Sequence, residues 1–343
     1  MLTPEVTMPV LGIDLHKHES QVAVLPEESS EEEPLEEVRV RNANLDEVAA
    51  RYEGSKAVIE ATSRYYTIHD RLSEYLDVVV ANPLELSWIA DSSHKTDEID
   101  AQKLAELHRA DIVPESYVPP EEIRSLRALT RGREHLVDER TKWKNEVHAL
   151  LDQHGVEYTG ELFSTAGREF CQELTLADPG EILLETYLET IDELSEKIES
   201  LSDEVETRAA EIPEVQLLES IPGVGALTAL QIYAEIGEIN RFDRAAELVS
   251  YAGLDPSVRE SADSRTEGSI SKEGNKYLRT AVVQGAWRAV HNGQDPYLRE
   301  FYYRLREQKN KPEKVARVAA GRKLLVSIFH MLSRKEVYDP PER

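Results

Sequence analysis

KTDEIDAQKLAEL, residues 95–107, sets three carboxylates into four positions where a helix begins. Asp97 and Asp100 stand three apart, so on a helix they share one face. Like charges held that close repel. An acidic surface helix would carry them idly; a divalent cation would need them. The stretches on either side decide between the two.

Upstream, strand and helix signals alternate through the first 115 residues. VLGIDLH (10–16), SQVAVLP (20–26) and LEEVRVRN (35–42) read as three consecutive strands, with the acidic loop EESSEEEP (27–34) between the second and third. A helix from Leu45 to Tyr52, the strand KAVIEAT (56–62), the helix YYTIHDRLSEYL, the strand DVVVANP (77–83) and two further helices before Pro114 complete the region. Three successive strands followed by strands interleaved with helices predict a mixed sheet with helices on its faces.

Two of these strands carry carboxylates out of pattern. Asp14 ends the first, where an apolar run meets charge, and Glu60 interrupts the apolar run of the fourth. A buried carboxylate on a strand is costly unless it is paired or holds a metal. Asp14, Glu60, Asp97 and Asp100 converging at one sheet edge would suit two Mg²⁺ ions ~4 Å apart, the arrangement that clamps the attacking and leaving oxygens in phosphodiester cleavage. Mn²⁺ is the alternative ion. A strand Asp, a strand Glu and an Asp-x-x-Asp opening a helix, in this order, form the ribonuclease H-like layout.

The composition sets limits. The 343 residues are enough for two or three domains. Net charge is −26, from 66 acidic and 40 basic residues, while apolar residues make up 40%, so the chain is folded rather than disordered. Such an acidic excess fits solvation in a salt-rich cytoplasm. One cysteine, Cys171, excludes internal disulfides and thiolate zinc sites. No apolar run reaches transmembrane length and no signal peptide is visible, so the expectation is a soluble, cytoplasmic protein without membrane partners.

Downstream, Glu121 to His154 is helical, with Leu129, Leu136, Trp143 and Leu150 every seven residues. A second long helix from about Gly180 to Ala210 alternates spacings of three and four through Leu184, Tyr187, Ile191, Leu194, Ile198, Leu201 and Val205. That is a coiled-coil seam, predicting an antiparallel hairpin or a dimerising coiled coil joined by a loop over 155–179. Beyond Pro213, LLESIPGVGALTALQIYAEIG (217–237) places Gly223 and Gly225 between two apolar helices, a helix-hairpin-helix-like pattern whose backbone N–H groups can meet a phosphate. Between Arg299 and Lys335 eleven basic residues face three acidic ones, among them Arg317, Arg322 and Lys323. This reads as a phosphate-contacting surface, or as a partner of the acidic coiled coil. Tyr297, Phe301, Tyr302 and Tyr303 beside it can stack on bases or belong to a core.

With GIDLHK, VIEAT, KTDEIDAQKLAEL, IPGVGALTA, YAGLDP and GSISKEGNKYLR in this order, the chain resembles the DEDD transposases of insertion sequences over nearly its whole length. The resemblance implies a RuvC-like, ribonuclease H-like catalytic domain (1–115), a helical coiled-coil region (116–212) and a mostly α C-terminal transposase domain (213–343). It implies that Asp14, Glu60, Asp97 and Asp100 bind Mg²⁺, and that DNA is cut and rejoined through a covalent link to a serine. In DPSVRESADSRTEGSISKEGN (255–275) the family's Ser-Gly pair aligns with Ser261-Ala262; the glycine is missing and Ser264 competes. A serine nucleophile needs a base or a metal to activate it. The further implied partners are DNA (element ends and target), a structured noncoding guide RNA, and other copies of the chain in a homodimer or homotetramer. Lys272 and Asn275 match an Ile-Ser-Lys-x-Gly-Asn motif and are candidates for nucleic-acid contact, although Gly274-Asn275 also reads as a turn. His16 and Lys17 are candidates for touching phosphate, and Lys95 and Thr96 for positioning the helix.

Three other readings compete. A junction resolvase or nuclease would use the same four carboxylates with water as nucleophile. A decayed, non-catalytic nucleic-acid-binding protein would need none of them. A sugar-kinase or actin-like ATPase is disfavoured because LHKHES (15–20) lacks the phosphate-loop glycines.

Overall fold

The structure, a computed structural model, describes residues 8–26, 34–62, 65–83, 85–86, 97–261, 264–293 and 295–340; of residues 97–99, 256–261 and 264–269 only the backbone is described. Lys95, Thr96 and nearly all of the acidic loop at 27–34 therefore lie outside the described residues. Contacts divide the chain into two compact units, Met1–Val118 and Pro119–Arg343.

The first unit is built on a five-stranded mixed sheet of β1 (Val10–Leu15), β2 (Glu19–Leu25), β3 (Glu36–Arg41), β4 (Lys56–Glu60) and β5 (Asp77–Ala81), in the order β3-β2-β1-β4-β5. The first three strands pair antiparallel, and β4 and β5 join parallel to β1. All six residues of β1 are buried because both of its faces are covered. Leu11, Ile13 and Leu15 pack in one cluster with Leu45, Val48 and Ala49 of α1 (Leu45–Arg51) and Ile68 and Leu72 of α2 (Tyr65–Leu72). The opposite face, through Val10, Val58 and Ala81, meets Leu104 and Ala105 of α3 (Asp97–Arg109). At Gly12 the helix comes so close that an added Cβ would lie 1.9 Å from the Ala101 carbonyl oxygen and 2.7 Å from the Ala105 nitrogen. Only glycine permits that approach.

The second unit is helical apart from one hairpin. The 33-residue α4 (Glu121–Gln153) and 32-residue α6 (Gly180–Glu211) pair within the chain. Arg133 reaches Ser202, Arg140 reaches Ser195 and Trp143 meets Tyr187, so rising numbers on one helix face falling numbers on the other: the pair is antiparallel. Leu184, Ile191, Ile198 and Val205, seven apart, form its buried line on α6. The connection expected as a loop contains a helix, α5 (Thr165–Glu173), whose N-cap Ser164 accepts from the Gly167 N–H. Beyond the pair, α7 (Pro213–Glu219), α8 (Ala226–Ile236), α9 (Ala245–Tyr251), α10 (Lys276–His291), α11 (Pro296–Tyr303) and α12 (Glu313–Arg334) share one core. Between α9 and α10, in the stretch that carries both candidate serines, β6 (Pro256–Ser261) and β7 (Ser264–Ile270) form an antiparallel hairpin. No helix among the described residues is long and apolar enough to cross a membrane.

Candidate functional site

Register and helix direction place the four acidic positions. Gly12 pairs with Val58 and Ile13 with Ile59 across parallel β1 and β4, so Asp14 and Glu60 follow in step on neighbouring strands. Strand side chains alternate faces, which puts Asp14 on the side of Gly12 and Glu60 on the side of Val58. Both face α3. Val10 packs against Ala105, and Arg109 reaches the Pro26 carbonyl at 3.5 Å beside the start of β1, so α3 runs antiparallel to β1. Two strand residues and four helical residues each span roughly 6–7 Å. Asp14, two beyond Gly12, is thus level with the turn before Ala101, the turn that holds Asp97 and Asp100.

Asp14 is 8% exposed, and one of its carboxylate oxygens lies 3.2 Å from Nε2 of the half-exposed His16. Glu60 and Asp100 are half-buried. The side chain of Asp97 lies outside the described residues, and among the described residues no three His, Cys, Asp or Glu are gathered closely enough to form a metal cluster on their own. The donor chemistry nevertheless fits a hard divalent cation: each of the four acidic positions brings carboxylate oxygens, and a cation would stabilise the buried Asp14 carboxylate beside His16.

The two candidate serines sit in the second unit. Ser261 ends β6, Ser264 begins β7, and they are register partners at the tip of the hairpin. Their side chains lie outside the described residues.

The glycine pair forms the turn between α7 and α8. Gly223 has φ +84° and lies against the α10 backbone, where an added Cβ would be 2.8 Å from the Arg288 carbonyl carbon. Gly225 is the N-cap of α8 and faces open space. Arg288 donates to Thr228 Oγ1 in the first turn of α8 at 2.9 Å. Burial lowers the Arg133 pKa, and the neighbouring Arg140 and Arg288 charges lower it further. The Arg133 guanidinium of α4 thus feels the Arg288 charge of α10, an interaction that sequence reasoning missed because the two residues are far apart along the chain.

In the basic C-terminal window, a groove of about 740 Å³ is lined by Tyr297, Phe301, Arg322, Lys323, His330 and Arg334, among others. Lys323 Nζ lies 4.3 Å from the Tyr297 ring centre and 4.7 Å from that of Phe301. Arg317 lies over Trp287 at 4.9 Å, with its Nε buried and unpaired. Tyr302 is a core residue, packed against Trp287, His291 and Tyr303. Acidic residues of α6 pair with Arg168 of α5 and with Lys197 and Arg208 of α6 itself.

Lys272 has φ +59° in the turn after β7. Asn275 caps α10: its Oδ1 accepts from the Tyr277 and Leu278 N–H groups at 3.0 Å each, and its Nδ2 donates to Glu235 Oε2 at 2.7 Å and to the Tyr251 hydroxyl at 3.2 Å.

Comparison with known proteins gives the family. Residues 11–156 match a family described as a DEDD transposase of the IS110 type, and residues 215–303 match the transposase IS116/IS110/IS902 family. The transposase of insertion sequence element IS1111A from Coxiella burnetii is 30% identical over 271 residues, 72% of this chain and 69% of that one. A pilin gene-inverting protein of Moraxella bovis is 29% identical over 295 residues, 82% and 81% of the two chains. The IS1328 transposase of Yersinia enterocolitica is 29% identical over 197 residues, 57% and 58%. The chain belongs to the IS110/IS116/IS902 family of insertion-sequence transposases, whose members act on DNA.

Proposed function

We propose that this transposase cuts and rejoins DNA with two centres: a Mg²⁺-binding carboxylate set, Asp14, Glu60, Asp97 and Asp100, and a serine nucleophile, Ser261, with Ser264 as the competing position. The observation that carries the reading is the register of β1, β4 and α3. Two strand carboxylates share a face, and the helix turn that holds the other two lies level with them. The strand order β3-β2-β1-β4-β5, with β2 alone antiparallel to both its neighbours, supports a ribonuclease H-like, RuvC-like domain.

In this reading Asp14 and Glu60 hold their carboxylates rigidly because both strands are central in the sheet. Asp97 and Asp100 complete the set from the first turn of α3. Bound Mg²⁺ would neutralise the developing charge on phosphate and polarise the attacking hydroxyl. Serine Oγ attacks the scissile phosphorus, forming a serine phosphodiester and freeing one DNA hydroxyl end. Attack by the hydroxyl of a second strand on that ester joins the strands and returns the serine. The Gly223–Gly225 turn as a helix-hairpin-helix element, Arg288, Lys272, Arg317 and the groove at Arg322 and Lys323 supply phosphate contacts. A structured noncoding RNA as guide belongs to the same proposal, as does a dimer or tetramer, since two strand exchanges need two copies of each centre. A pilin gene-inverting relative supports recombination over simple hydrolysis. A nuclease using water would not need a hairpin presenting serines at its tip.

The test uses end-labelled DNA carrying the element's junction, its RNA, and Mg²⁺ in high KCl. Asp97→Asn is expected to abolish strand cleavage while leaving folding and RNA binding intact. An unchanged cleavage rate in this variant would remove the metal-site assignment.

A further inference from the structure

Glu235 is fully buried near the C-terminal end of α8. Arg131 grips both of its carboxylate oxygens, Nε to Oε1 and Nη2 to Oε2, each at 2.7 Å. Arg127, also buried, donates to the carbonyls of Ala234 and Glu235 at 2.7 and 2.9 Å, satisfying groups that the helix end leaves open. Asn275 Nδ2 also donates to Oε2. With two N–H groups on its Oδ1 and two acceptors for its Nδ2, the Asn275 amide uses all its hydrogen-bonding capacity inside the fold.

What this assembly holds is the base of the β6–β7 hairpin. The Asn275 N–H donates to the Tyr251 carbonyl at 2.7 Å, Lys272 N–H to Gly253 at 3.3 Å and Ser271 N–H to Asp255 at 2.9 Å. Gly253 and Gly274, both at positive φ, press backbone on backbone; a Cβ on Gly274 would lie 2.5 Å from the Tyr251 carbonyl oxygen and 2.9 Å from the Gly253 nitrogen. YAGLDP and ISKEGN are thus the two sides of one clamp, and the clamp is fixed to α4 and α8 through Asn275, Glu235 and Arg131. From that base the hairpin extends to the Ser261–Ser264 pair.

We propose that Glu235 and Asn275 are positioning residues that aim the serine-bearing hairpin, and that Asn275 acts by this means rather than by touching nucleic acid. The inference rests on the serine reading above. From Pro256 to Ser261 the strand spans roughly 17 Å, so a tilt of about 10° at the base displaces the tip by about 3 Å. A misplacement of ~1 Å at a reacting atom is enough to cost ~100-fold in rate. An anchor with no slack is therefore what a nucleophile on a lever this long requires. The buried bidentate pair to Arg131 removes the rotamer freedom that Glu235 would otherwise have.

The experiment compares wild type with Asn275→Ser, which keeps a helix N-cap but cannot reach Glu235, and with Ile328→Val, a core truncation on α12 outside the Asn275–Glu235–Arg131 network. Three readings are taken on the full chain: affinity for junction DNA, the rate of protein–DNA adduct formation at saturating DNA, and amide hydrogen exchange across residues 256–270. The expected result for Asn275→Ser is unchanged affinity, an adduct rate lower by about tenfold or more, and faster exchange in the hairpin. Ile328→Val should change neither the adduct rate nor hairpin exchange. Wild-type adduct rate and hairpin exchange in Asn275→Ser would overturn the proposal; so would weakened DNA affinity with hairpin exchange unchanged, which would make Asn275 a contact residue. If wild type itself forms no adduct, the serine reading fails and exchange still decides: a loosened hairpin supports the anchor, an unchanged one refutes it.

Discussion

Replacing Gly12 by alanine tests the link between packing and chemistry in the first unit. The new methyl would lie 1.9 Å from the Ala101 carbonyl oxygen and 2.7 Å from the Ala105 nitrogen. Comfortable non-bonded separation is about 3.5 Å, so α3 must retreat by roughly 1.5 Å. Both obstructing atoms are helix backbone, and no side-chain rotation relieves them. Overpacking of this kind costs about 1–3 kcal/mol or more. For a unit of this size each kcal/mol corresponds to roughly 4 °C or more in Tm, so a fall of at least several degrees is expected by thermal denaturation followed by circular dichroism. The chemical effect should be larger than the stability effect. The retreating helix carries Asp97 and Asp100 away from Asp14 and Glu60, and metal–ligand distances tolerate only about ±0.2 Å. Mg²⁺-dependent cleavage measured well below the transition should drop by about 100-fold. A Gly12→Ala variant with wild-type Tm and wild-type cleavage would refute the argument that this close approach sets the site.

Other consequences are separable. Glu235→Ala leaves the Arg131 guanidinium and the Asn275 amide without their shared acceptor; because Arg131 is partly open to solvent, the loss is about 1–3 kcal/mol; urea unfolding should show a lower midpoint, and an unchanged midpoint would mean that the pair carries no net stability. Arg322→Ala combined with Lys323→Ala should weaken DNA or RNA binding and make the log–log salt slope shallower by about 1.4–1.8 for two lost phosphate contacts; an unchanged slope would remove the groove from the interface. Burial pushes the Cys171 thiol up from its ordinary range, so alkylation by iodoacetamide at pH 8 should be slow in the folded chain and fast in urea, and rapid labelling of the native protein would show that the α5 packing opens.

The sheet was legible because its strands announce themselves. VLGIDL and KAVIE are apolar runs, and the helices between strands have helical spacing. The carboxylate positions were legible as residue types, since Glu60 breaks an apolar strand and Asp14 ends one. Their common face was not, because it depends on the parallel register of β1 with β4 and on the reversed direction of α3. The β6–β7 hairpin escaped reading for a different reason. PSVRES and SRTEGSI hold one apolar residue each, and the connection Ala262-Asp263 lacks the glycine or asparagine of a tight hairpin turn. Asn275 reads as a candidate for nucleic-acid contact or as part of a turn; its partner Glu235 is 40 positions away, and Arg131 lies a further 104 from Glu235. Contacts across such separations leave no local pattern.

The most direct test of the account is whether the protein becomes covalently joined to DNA. Protein, element RNA and end-labelled junction DNA would be incubated in high KCl with Mg²⁺ and resolved on a denaturing gel. The account predicts a labelled band retarded by the mass of the protein, absent in Ser261→Ala. The band persisting in Ser261→Ala would move the nucleophile, to Ser264 first. Cleaved DNA with no such band in wild type would contradict the serine mechanism and leave the carboxylates as the whole active site.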